Sequence, residues 1–194
     1  MNGYHLEKIW DPVTRLWHWA LALSVCAGWG MGKFMTFSTI EWHFYCGYCT
    51  GGLLIFRCIW GFFGPAPIRF KRLIPSVSST ISYLKKMGGR TPSGSPGHNP
   101  VGSLSVIAMI LLLGTQATTG LFVESDDFFE YGPLVAYVSS DVVGSMTWIH
   151  RLVADGILII VVLHVSAIVF YLCWKKENLI KPMMTGWKWV KDLR

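Results

Sequence analysis

Apolar residues gather in four long blocks, about 16–37, 44–63, 104–123 and 147–174, separated by stretches that are polar or rich in Gly and Pro. Each block is near or above the roughly 20 residues that a helix needs to cross a bilayer core. The pattern predicts an all-α integral membrane protein. It reads as a bundle of four transmembrane helices forming one domain, 1–194, with segments at the membrane interface. The first block follows Glu7, Lys8, Asp11 and Arg15 and shows no small-residue cleavage site, so it reads as a retained helix and not as a signal peptide. Asp11-Pro12 suits the start of that helix. Gly64-Pro65-Ala66-Pro67 stops the second one.

The stretches between the blocks are informative in turn. Over 75–87 the pattern is weakly amphipathic, with Val77, Ile81 and Leu84 set against Ser and Lys, as in a segment lying along the interface. Residues 88–100 are rich in Gly, Pro and Ser and read as a loop, closed by Gly97-His98-Asn99-Pro100. The tail from 177 to 194 mixes Lys with Met183, Met184, Trp187 and Trp189, which suits an interfacial anchor.

Composition supports a membrane protein: 52% of residues are hydrophobic and 14% charged, against about 25% charged in soluble domains. The net charge of +6 reads as topology and not as nucleic-acid binding. Arg69, Lys71, Arg72, Lys85, Lys86 and Arg90 follow the second block. Lys175, Lys176, Lys181, Lys188, Lys191 and Arg194 fill the tail. The 124–146 connection holds Glu124, Asp126, Asp127, Glu130 and Asp141, with no Lys or Arg before Arg151. The positive-inside rule then predicts both termini and the 64–103 loop in the cytoplasm and the 124–146 loop outside, as in a multi-pass protein of a bacterial inner membrane. The five cysteines lie within or at the ends of the blocks. Cys46 and Cys49 form a C-x-x-C followed by Thr50, not the C-x-x-C-H of covalent haem attachment. They read as helix-packing residues, with a redox or metal role as the alternative.

The histidines carry the candidate chemistry. His150 and His164 stand 14 residues apart in the fourth block. On a helix that spacing returns to within about 40° of one face while separating the rings by about 21 Å along the axis. His18 and His43 open the first two blocks. With the predicted topology, His18 matches His164 in depth towards the cytoplasm, and His43 matches His150 towards the outside. Two imidazoles at each of two depths, without a third ligand, suit two bis-histidine haems better than zinc. Intramembrane ionisable residues are functional by default. Haem propionates call for cations. Arg15 and Arg57 are candidates for the inner haem, and Arg151, with Lys33, for the outer one. Arg15 and Lys33 also read as residues that snorkel at the interface. Gly47, Gly51, Gly52, Gly114, Gly120 and Gly156 either make room for porphyrin planes or mark close helix contacts. His98 is a candidate proton carrier for a quinone.

Several motifs resemble the bacterial four-helix cytochrome b family, that of prokaryotic cytochrome b561 and the b-type subunit of nickel–iron hydrogenases. They are Trp10-Asp-Pro-Val-Thr-Arg-Leu-Trp-His18-Trp, Trp42-His43-x-x-x-Gly47-Tyr48, and Phe56-Arg57-x-x-Trp60-Gly61-Phe-x-Gly64-Pro65. Further on come Gly97-His98-Asn99-Pro100, the His150 and His164 pair, Glu177-Asn178-Leu179-Ile180 and Met184-Thr185-Gly186. The resemblance covers nearly the whole chain. It implies two non-covalent b haems, ligated by His18 and His164 on the inside and by His43 and His150 on the outside. It also implies quinone as a membrane partner.

The expected function is electron transfer between the quinone pool and a periplasmic redox partner, a c-type cytochrome or a hydrogenase-like enzyme. An electron-transfer subunit is favoured over a stand-alone oxidoreductase. The alternative is a superoxide oxidase that passes electrons to quinone. The acidic outer loop favours a cationic protein over anionic superoxide.

Overall fold

The computed structural model describes residues 3–125 and 127–192. Asp126 and Arg194, which enter the charge argument, lie outside the described residues. In chain order the elements are β1 (Tyr4–Lys8), α1 (Pro12–Lys33), α2 (Ile40–Phe63), a 3₁₀ turn (Ala66–Ile68), α3 (Phe70–Leu73), α4 (Val77–Lys86) and α5 (Pro100–Gly120). There follow β2 (Glu124–Ser125), β3 (Glu130–Tyr131), a second 3₁₀ turn (Val135–Tyr137), α6 (Ser140–Cys173), α7 (Ile180–Thr185) and β4 (Trp187–Lys191).

The chain is therefore mostly helical, but not all-α. β1 pairs antiparallel with β4, and β2 with β3. α2, α5 and α6 start four to seven residues ahead of the apolar blocks (Ile40 against 44, Pro100 against 104, Ser140 against 147). Their first turns hold residues such as Glu41, Ser103 and Asp141, and hydropathy marks the part of a helix that suits hydrocarbon, not the helix itself. α1 ends at Lys33 and not near 37. Thr36 and Thr39 close the turn that follows, the Thr36 N–H donating to Thr39 Oγ1 at 2.9 Å. α2, α5 and α6 are long and apolar enough to cross a membrane. α1, at 22 residues, has the length but is diluted by polar groups. Its start follows from Asp11, whose carboxylate accepts from the Thr14 N–H at 3.0 Å, a side-chain N-cap ahead of Pro12.

The chain divides into two compact units. One holds 1–17, 58–108 and 160–194; the other holds 18–57 and 109–159. In the first, β1 and β4 run in the register Tyr4↔Lys191 to Lys8↔Trp187. A two-stranded ribbon is marginal alone. This one rests on a cluster of Ile9, Trp10, Ile68 and Val190, with Trp60 and Met183 packed against it. Gly186 joins the ends of the chain. Its φ of +89° caps α7, its carbonyl accepts from the Ile9 and Trp10 N–H groups, and a Cβ there would lie 2.6 Å from the Trp10 carbonyl oxygen. Only glycine meets both demands cheaply.

β4 inverts what hydropathy suggests. Lys188 and Val190 face inward, while Trp187 and Trp189 are about half exposed, at 47% and 53%. Lys188 is drawn in by Glu177, 3.1 Å away; both are buried. The Glu177 carboxylate also accepts from Ser93, at 2.6 Å from its N–H and 2.9 Å from its hydroxyl. That fixes the loop after α4. Lys175 Nζ donates to the Gly89 carbonyl at 2.9 Å, and Trp174 Nε1 to that of Gly88 at 2.9 Å. The hydroxyls of Tyr83 and Tyr171 share a hydrogen bond, and Asn99 Nδ2 donates to Tyr171 at 3.0 Å. Burial, with the Tyr171 contact second, pushes the Tyr83 phenol well above its ordinary pKa, so it stays protonated.

Two outcomes are expected. Glu177→Ala leaves Lys188 buried without its carboxylate and should cost roughly 3–5 kcal/mol in a denaturant titration. His5 donates to Asp192 at 2.7 Å and lies 3.4 Å from Glu7. The Asp192 bond is the largest cause of a pKa raised above 6.5. A raised folded-state pKa means stabilisation that is complete below the unfolded value and lost as pH rises through the folded one. Amide exchange in β4, corrected for intrinsic chemistry, should therefore quicken from about pH 6 to about pH 8. His5→Asn should abolish that pH dependence.

Candidate cofactor site

The four sequence-predicted histidines lie on three helices and are all half-buried: His18 on α1, His43 on α2, His150 and His164 on α6. Of these, His43 and His150 meet within the unit of 18–57 and 109–159. Their ring centroids are 6.2 Å apart and the planes are 81° to each other. His43 Nδ1 lies 2.9 Å from the Gly28 carbonyl oxygen. His150 Nδ1 lies 3.1 Å from that of Gln116. A carbonyl only accepts, so both Nδ1 atoms carry the proton and both Nε2 atoms carry the lone pair. That is the tautomer and orientation that a metal-ligating imidazole takes when a backbone carbonyl holds its other nitrogen.

The same local device serves both rings. Four residues after each acceptor carbonyl stands a glycine, Gly32 after Gly28 and Gly120 after Gln116. One helical turn on, a side chain there would cover the carbonyl. A Cβ at Gly32 would lie 2.9 Å from His43 Cε1, and one at Gly120 would lie 3.1 Å from His150 Cε1. The first distance is shorter than real Cβ contacts, and the second would require the His150 ring to give by a few tenths of an ångström. Gly51 and Gly156 make ordinary contacts instead, 3.8 Å from Ala117 and from Leu112. At Gly47, Gly52 and Gly114 nothing lies within 4 Å, so these three do not mark close helix packing.

α5 supplies no histidine but surrounds His150. The buried Thr119 hydroxyl donates to the Thr115 carbonyl at 2.7 Å and lies 3.2 Å from His150 Nδ1. Gln116 Nε2 lies 3.0 Å from His150 Nε2, and with this tautomer the amide donates to the ring lone pair. Gln116 Oε1 is buried with no hydrogen-bond partner among the described residues. Sequence reasoning passed over Gln116 and Thr119. The available signal was a long polar side chain in the middle of an otherwise apolar helix.

The remaining candidates are spread over the two units. His18 packs edge-on against Trp19 at 5.2 Å. It belongs to the same unit as His43, whereas His164 belongs to the other. Arg57 is buried at 5% exposure within α2, and a charge kept inside an apolar helix is functional by default. Arg15 donates to the Met184 carbonyl, while its Nε is buried without a partner among the described residues. Arg151, Lys33 and Asp155 are exposed. His98 packs against Trp10, with ring centroids 5.0 Å apart.

His43 and His150 are the residues that would hold a haem iron, through the Nε2 atoms that keep their lone pairs. Among the described residues, no three His, Cys, Asp or Glu side chains cluster to offer a zinc site. One group stands in the way of an iron. The Gln116 amide occupies the lone pair of His150 Nε2, so that bond and ligation exclude one another.

The chain matches the family described as prokaryotic cytochrome b561 over residues 9–186. It is also 25% identical, over 223 residues, to a protein of Azotobacter vinelandii described as a probable Ni/Fe-hydrogenase B-type cytochrome subunit, with 96% of this chain and 90% of that protein covered. With its apolar helices and all but the ends of its length matched, this chain belongs to the prokaryotic cytochrome b561 family of haem b-carrying, helical membrane proteins.

Proposed function

We propose that the chain is a diheme transmembrane cytochrome that moves electrons between membrane quinone and a periplasmic redox partner. The observation that carries this reading is the facing pair His43 and His150, both held by backbone carbonyls in the Nε2-ligating tautomer. In this reading α1 is the fourth membrane span, and residues 1–194 act as one domain. His43 and His150 hold the outer haem. His18 and His164 hold the inner one, since α6 carries its two histidines about 21 Å apart along one face.

Haem b supplies a one-electron iron couple whose potential answers to ligands, burial and hydrogen bonds. The residues of this chain do the rest. The Gly28 and Gln116 carbonyls orient the two rings and raise their basicity. Gly32 and Gly120 let the rings lie against neighbouring helices. Arg57 and Arg15 are the cations for the inner propionates, and Arg151 with Lys33 for the outer ones. The basic 64–103 segment and tail favour the cytoplasm for both termini of an inner-membrane protein. Quinone then binds near the inner haem, with His98 as a proton carrier. The name of the Azotobacter relative favours a hydrogenase-like partner outside, and the acidic 124–146 loop suits a basic c-type cytochrome as well. That loop disfavours the superoxide oxidase alternative, because its field repels an anion.

Haem content and spectra of four single variants test this. His43→Ala and His150→Ala should each lose the same haem, and His18→Ala and His164→Ala the other, from a parent holding two acid-extractable haems. Reduction by a quinol should persist in the first pair and fail in the second. Grouping of His18 with His43, or a single haem in the parent, would overturn the reading. Gln116 gives a separate outcome. Gln116→Leu removes the bond that iron must displace at His150, so apoprotein should take up the outer haem roughly fivefold more tightly, the worth of about 1 kcal/mol.

A further inference from the structure

α4 differs from its neighbours in having no buried residue. It is well formed all the same, since Ser76 caps it by accepting from the Ser79 N–H at 3.1 Å. Its anchor is Tyr83, bonded to Tyr171 just before the end of α6 at Cys173. Within this unit, α4 therefore lies level with the end of a long apolar helix, where a membrane surface would be.

The rest of α4 faces away from that anchor. At about 100° per residue, Val77, Ile81 and Leu84 fall within about 60° of one another, and Ser78, Ser82 and Lys85 form the adjoining stripe. Tyr83 stands about 130° from both. The apolar residues are open, at 76%, 49% and 49% exposure. Ser79 and Thr80 commit their hydroxyls to the Ser76 carbonyl at 2.8 and 3.0 Å. Ser78 and Ser82 make no such bond among the described residues. Val77, Ser78, Ile81, Ser82 and Lys85 line one open face of α4.

Charge decides the occupant. Arg69, Lys71, Arg72, Lys85, Lys86 and Arg90 surround this helix in sequence, and no acid occurs between Glu41 and Glu124. The acids of this unit within the described residues are already engaged. Glu177 pairs with Lys188, Asp11 caps α1, and Glu7 and Asp192 meet His5. The excess positive charge needs anions from outside the chain, and the exposed apolar stripe needs hydrocarbon. We infer that this face of α4 binds an anionic phospholipid of the surrounding bilayer. The Ser78 and Ser82 hydroxyls and the Lys85 ammonium take the phosphate, and Val77 and Ile81 take the start of the acyl chains. The site rests on the membrane assignment and is independent of the haem pairing.

Native mass spectrometry of the full-length haem-loaded protein in mild detergent tests it, with phosphatidylglycerol, phosphatidylcholine and inorganic phosphate as probes. Phosphatidylglycerol should be retained in preference to phosphatidylcholine, and less so as salt rises. Lys85→Gln should weaken phosphatidylglycerol binding about fivefold, the worth of one cation near a membrane surface, and leave phosphatidylcholine unaffected. Ser78→Ala with Ser82→Ala should weaken it further. All these positions lie outside the core, so an unchanged haem spectrum and helix content accompany each variant. Equal retention of the two lipids would overturn the proposal. So would unchanged phosphatidylglycerol binding in the combined variant, or displacement of the lipid by equimolar inorganic phosphate, which would assign the site to a soluble anion.

Discussion

A neutral imidazole inside hydrocarbon has one N–H to satisfy and no water to satisfy it with, and a buried donor without an acceptor costs a few kcal/mol. Backbone carbonyls of neighbouring helices are the acceptors at hand, and each is already engaged by its own helix. A ring as large as imidazole reaches such a carbonyl most easily where the flanking side chain is missing. The glycines one turn beyond Gly28 and Gln116 meet that condition for His43 and His150. Once Nδ1 is tied, the tautomer and the ring direction follow, and Nε2 is left with the lone pair. Contacts among α1, α2, α5 and α6 in this unit agree with that constraint. Ser24 donates to the Cys46 carbonyl at 3.0 Å and bonds Thr50 at 2.9 Å, bringing α1 against α2, and Gly51 meets Ala117 between α2 and α5.

Much of this was legible in the residues because it follows from spacing. The 14-residue interval on α6, the histidines at the head of two apolar blocks, and Asp11-Pro12 and Asn99-Pro100 at helix starts all act locally. The side chains that hold the rings were not legible. Gln116, Thr119 and Gly32 matter only through what stands opposite them on another helix, and no periodicity within α5 or α1 reports it. Gln116 was passed over, and its one signal is that of a polar group in an apolar run. The β1–β4 ribbon was hidden for a similar reason. β4 buries a lysine and exposes two tryptophans, so its alternation runs against hydropathy, and the cause, Glu177, lies eleven residues away in the sequence.

The Gln116 amide gives the outer site a resting arrangement of its own. It donates to His150 Nε2 while its carbonyl oxygen has no partner among the described residues. One half of the side chain is thus satisfied and the other is not, so the side chain is held weakly against displacement.

The closing of β1 against β4 orders the making of the molecule. Tyr4 pairs with Lys191 and Gly3 accepts from the Asp192 N–H, so β1 waits for β4, which follows α6 in the chain, before it has a partner. Every apolar helix has then left the ribosome and entered the bilayer. Until that moment Ile9 and Trp10 lack Val190 and Met183 to pack against, and the start of α1 is held by Asp11 and by the Trp60 bond to Thr14. Closing the ribbon is therefore a late step, made after the apolar helices. A chain cut short between α6 and α7 keeps its apolar helices but leaves β1 as an unpaired strand edge.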